Sequence, residues 1–76
     1  MNNTRRKALE EIRATMEDVK ADIEGLRDEE QEYIDNMPES LQGGEKASAA
    51  ENAVSMMDDA INSLEDATSS VDEATV

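Results

Sequence analysis

The chain has no cysteine, no histidine, no tryptophan and no phenylalanine, and its one aromatic residue is Tyr33. Without cysteine there is no disulfide framework, and without a His–Cys cluster there is no structural zinc site. Without bulky aromatics, a chain of 76 residues has little with which to build a deep core. Small chains of this kind usually gain stability by associating. No apolar run approaches a membrane span, and MNNTRRKALEE has no signal-peptide apolar stretch. Action in the cytoplasm is therefore the simplest expectation. Basic residues are also scarce: seven Lys and Arg face twenty Asp and Glu, for a net charge of −13. That balance argues against direct nucleic-acid binding, which depends on cations displacing counterions, and against anionic membrane surfaces.

Two stretches carry strong helical periodicity. With Leu9 as position a of a heptad, the first has Leu9, Met16, Ile23, Glu30 and Met37 at a, and Ile12, Val19, Leu26 and Tyr33 at d. This alternation of three and four predicts a helix from about residue 4 to 36, with Asn2, Asn3 or Thr4 as its N-cap. NMPESLQGG then breaks the pattern. Pro38 cannot donate a backbone hydrogen bond, and Gly43 and Gly44 suit a reversal of the chain over residues 37–44. A short helical turn at Pro38, Glu39 and Ser40 fits inside this connection. The second helix is expected over about 45–73. It has Ala50, Met57, Leu64 and Val71 at a, alanine at every d, and Val54 and Ile61 at e.

All-alanine d positions suit a partner helix with large residues at d. An antiparallel hairpin places Ile12 near Ala67, Val19 near Ala60 and Leu26 near Ala53. Its a layers match Leu9 with Val71, Met16 with Leu64, and Ile23 with Met57. The expected fold is thus all-α, a single-domain two-helix hairpin. Residues flanking one thin seam still need cover, so a homodimeric four-helix bundle is expected.

Arg6, Arg13, Lys20 and Arg27 occupy successive e positions of the first helix. Pairing with acids of a neighbouring helix accounts for them, as does a contact strip for an acidic partner. In ENAVSMMDDAINSLEDATSSVDEA, acidic or polar pairs recur every seventh residue at b and c. A solvated face explains that row. Two chains side by side would nevertheless carry about one net charge per 2 Å over a body of roughly 50 Å. Duplex DNA carries about one per 1.7 Å, so imitation of a nucleic acid stands beside the plainer reading. No enzymatic constellation is present. The carboxylates point outward, MDDAINSLEDA lacks calcium-loop spacing, and no cofactor or metal is expected.

The stretches DEEQEYIDNMPESLQ and AAENAVSMMDDAINSLEDA, about half the chain, resemble small acidic all-helical proteins of phages and prophages. Chains of this size and character are also similar to phage inhibitors of bacterial defence systems, including anti-CRISPR proteins and the small antagonist of the Hachiman system. The resemblance implies binding and blocking of a host defence protein and transfers no functional residue; the acidic balance of the chain adds the expectation that the surface bound is basic. The contact residues expected from the sequence are Asp58, Asp59, Glu65 and Asp66 on the acidic row. Tyr33, Ile34, Met37 and Leu41 are expected as apolar anchors near the connection. A structural or adaptor module that re-packs with foreign helices is the alternative.

Overall fold

The computed structural model describes residues 1–76 as two long helices folded back on one another, joined by a single helical turn. Helix α1 spans Asn3–Asp35, α2 spans Glu39–Gln42 and α3 spans Glu45–Ala74. The hairpin is a rod of 59 by 14 by 12 Å.

Each boundary has a local cause. Asn2 is the N-cap of α1: its backbone is extended and its side-chain oxygen accepts from the Arg5 N–H at 2.8 Å. At the other end Met37 N–H bonds the Ile34 carbonyl, and Pro38 follows, which cannot continue the ladder. Leu41 N–H returns to the Pro38 carbonyl at 2.9 Å, and Gln42 Nε2 donates to the Met37 carbonyl at 3.0 Å, so the connection is a hydrogen-bonded corner. Neither Gly43 nor Gly44 has positive φ. At Gly44 the requirement is close approach, because a Cβ there would lie 3.3 Å from the Leu41 carbonyl oxygen. Gly44 thus serves the turn by its small size, whereas a Cβ on Gly43 would meet nothing within 4 Å, and neither glycine uses its left-handed freedom. The far end of α3 is tied to α1 where Arg6 Nε donates to the Thr75 carbonyl at 3.1 Å, a cation on a helix C-terminus.

The seam is thin. Met37, Ala47, Ala50, Val54 and Thr68 are the only buried residues, and four of the five belong to α3. Thr68 satisfies its hydroxyl by donating to the Leu64 carbonyl at 2.8 Å. Leu9, Met16 and Ile23 of α1, and Met57, Ile61, Leu64 and Val71 of α3, are half-buried. These are a and e positions, not a and d.

The expected d layers accordingly do not close within the chain. Ile12, Val19, Leu26 and Tyr33 are 51, 43, 59 and 49% exposed, and Ala67 is exposed as well. The reason lies in α3, whose large apolar residues stand at a and e while its d row is alanine. Its apolar stripe is centred between a and e, and α1 turns the same edge toward it. The e positions of α1 are Arg6, Arg13, Lys20, Arg27 and Ile34, all half-buried, and long basic side chains at such positions can lay their stems on apolar surface while the charged ends reach outward.

Gly25 lies mid-helix on the exposed side of α1, and a Cβ there would meet nothing within 4 Å. Replacing Gly25→Ala should stabilise the hairpin by about 0.5–1 kcal/mol through the unfolded state. Thermal unfolding followed by circular dichroism checks this, with a rise of several degrees expected.

Candidate functional site

Three features run along the middle of the hairpin: an ionic ribbon, an acidic ridge and an apolar row. A groove closes the loop end.

The ribbon is built from two seven-residue spacings running in opposite directions. Arg13 Nε donates to Asp72 Oδ1 at 2.6 Å, Lys20 Nζ lies 3.5 Å from Glu65, and Arg27 Nε donates to Asp58 Oδ1 at 2.8 Å. Lys20 also sits 3.9 Å from Glu17 and 4.0 Å from Glu24, so the base is flanked by acids of both helices. The hydrogen bond to Asp72, and then the charge of that carboxylate, raise the pKa of Arg13; Asp58 does the same for Arg27. A raised arginine pKa adds stability that is present below the unfolded value, so long as the paired aspartate is ionised, and is lost as pH rises through the folded value. These guanidiniums therefore stay charged across the range in which the protein would be handled.

The expected acidic contact set separates along this ribbon. Asp58 and Glu65 occupy b and lie against Arg27 and Lys20 of the same chain, which offset their charge while both carboxylates stay about half exposed. Asp59 and Asp66 occupy c, are exposed, and have no base within 4 Å; Glu73 continues their row. Sequence reasoning left Asp72 and Glu73 out of the contact set, although the seven-residue step extends to both. Glu30, which interrupts the a row of α1, is half-buried and pairs with no base.

At the loop, Tyr33, Met37, Pro38 and Leu41 line a groove of about 610 Å³ with Asn36, Gly44, Glu45 and Lys46. Three of the four expected anchors meet there. Met37 is 9% exposed and belongs to the core, which corrects its role as a surface anchor, while Tyr33 and Leu41 stand exposed at 49 and 55%. Ile34 is half-buried and does not line the groove. No three acidic side chains converge as a metal site would require, and no helix is long and apolar enough to cross a membrane.

Compared with family models, with curated proteins and with solved structures, the chain gives no match.

If the ribbon sets the register, Arg27→Glu should lower the melting temperature by setting a second carboxylate against that of Asp58. The charge-swapped pair Arg27→Glu with Asp58→Arg should recover most of that loss. Thermal unfolding of both variants is the check, and equal melting temperatures would assign the ribbon no role in register.

Proposed function

We propose that the chain is a non-catalytic binding protein that acts as a homodimer by occupying a basic surface of a partner protein. This is the mode of a phage-encoded inhibitor of a bacterial anti-phage defence system. The observation that carries the reading is the ridge of Asp59, Asp66 and Glu73, exposed at a constant spacing and met by no base of the chain. The bases of the chain's middle are engaged on the other edge of α3, where Asp58, Glu65 and Asp72 are neutralised. From Ala47 onward α3 carries no base, so its outer face there holds charge of one sign. Such a surface speeds encounter with a cationic groove and gives binding a steep dependence on salt. A protein surface that normally holds nucleic acid has the complementary charge.

A structural or adaptor role is the second reading. It is favoured by the exposed row Ile12, Val19, Leu26 and Tyr33, which a foreign helix would cover. In that case charge changes on the ridge matter little and changes in the apolar row abolish binding.

Expression of the chain in bacterial strains that each carry one cloned defence system tests the first reading. Phage plating should recover on at least one strain. The triple variant Asp59→Asn, Asp66→Asn, Glu73→Gln should lose at least a tenfold part of that recovery, because it removes charge that pairs with nothing in the fold. Full recovery with the triple variant would remove the ridge from the mechanism, and no recovery on any strain would remove the inhibitor reading.

A further inference from the structure

Two rows flank the seam on the side away from the ion pairs, and they differ in size. On α1 the row is Ile12, Val19, Leu26 and Tyr33, each 43 to 59% exposed. On α3 the equivalent row is Ala53, Ala60, Ala67 and Ala74. Both are d positions beside shared a layers, so they lie on one face of the rod. We infer that this face is the interface between two copies of the chain, with α1 of each lying over α3 of the other, so that the large row of one copy fills the alanine row of its partner. The inference deepens the homodimer in the reading above and does not depend on what that dimer binds.

Area supports a second copy as the occupant. The chain exposes 5461 Å², whereas a compact monomer of 8.4 kDa would expose about 4600 Å². The excess, about 850 Å², is close to the share of roughly 800 Å² that each partner buries in a stable interface. A face of 59 by 14 Å supplies a footprint of the same size, about 800 Å².

Symmetry and charge choose the arrangement. Two hairpins can meet face to face about a two-fold axis parallel to the helices or about one perpendicular to them. The parallel axis brings α1 over α3 of the partner, large over small, with every neighbouring pair antiparallel as in a simple four-helix bundle. The perpendicular axis stacks α1 on α1, large over large. The next row outward decides between them by charge. On α1 it includes Asp22 and Glu29; on α3 it is Ala49, Met56, Ser63 and Ser70, with no charge at all. Placing α1 over α3 sets those acids beside neutral residues, whereas stacking α1 on α1 opposes acid to acid. Met56, 54% exposed in the single chain, gains cover at this edge.

The absence of native cysteine makes the test direct. Sedimentation equilibrium of the unaltered chain should return twice 8.4 kDa at micromolar concentration. Leu26→Asp and, separately, Ala67→Glu change residues that are exposed in the hairpin, and each should weaken association at least tenfold. Val19→Cys and Ala60→Cys, made as separate proteins, mixed and oxidised, should give a disulfide between positions 19 and 60, which only an interchain contact can form. Neither variant alone should cross-link. A monomer throughout the concentration range, or a dimer untouched by both charge insertions, would overturn the interface. Cross-linking of Val19→Cys alone, as readily as in the mixture, would overturn the α1-over-α3 arrangement. A confirmed dimer that fails to restore phage plating would retain this interface and discard only the inhibitor reading.

Discussion

A pair of helices can share only one strip of surface, and everything else in this hairpin follows from which strip is shared. On α3 the large apolar residues Val54, Met57, Ile61, Leu64 and Val71 stand at a and e, so its edge toward α1 is set by side-chain volume. On α1 the matching e positions hold Arg13, Lys20 and Arg27. Their charged ends reach Asp72, Glu65 and Asp58. Solvent-exposed ion pairs are individually weak because water screens them. Their value here is positional: three pairs at a common spacing are satisfied together in one register, and a slip of fewer than seven residues along the seam would break all three.

The choice of strip has an energetic consequence. Ile12, Val19, Leu26 and Tyr33 keep about half their surface in water, forgoing on the order of 1 kcal/mol each. Small domains hold only about 0.05–0.15 kcal/mol of stability per residue, so a loss of a few kcal/mol is a large part of the margin. An association that covers this row therefore serves folding as well as any later recognition. The same rotation also divides the acids. Asp58, Glu65 and Asp72 at b face bases of α1, whereas Asp59, Asp66 and Glu73 at c face outward and meet none.

Much of the fold was legible in the sequence. The two helices, the Pro38 stop, the reversal before Glu45 and the short turn between them follow from periodicity and from the chemistry of proline. The pairing of α1 bases with acids of a neighbouring helix was also readable from their common spacing. The side of the a row on which the seam closes was not. In α1 the d row of Ile12, Val19 and Leu26 is more apolar than the e row by any residue count, and counting treats an arginine stem as polar. Only the joint geometry of α3's large e residues and α1's long bases shows that the e side closes. For the same reason Asp58 and Asp59 looked equivalent as neighbours in one acidic pair, although a rotation of about 100° gives one a structural partner and leaves the other free. The groove at the loop was foreshadowed by Tyr33 and Leu41, whereas burial of Met37 depended on the corner folding back over it.

The central claim is that the e edge closes within a chain and leaves the d edge for another copy. Isotope-filtered nuclear Overhauser spectra on a mixture of labelled and unlabelled chains test it most directly. Contacts between the side chains of Arg27 and Asp58 should appear only within a chain. Contacts between the methyl groups of Leu26 and Ala53 should appear in the filtered spectrum that reports pairs from different chains. Strong Leu26 to Ala53 contacts confined to a single chain, with none between chains, would contradict the account.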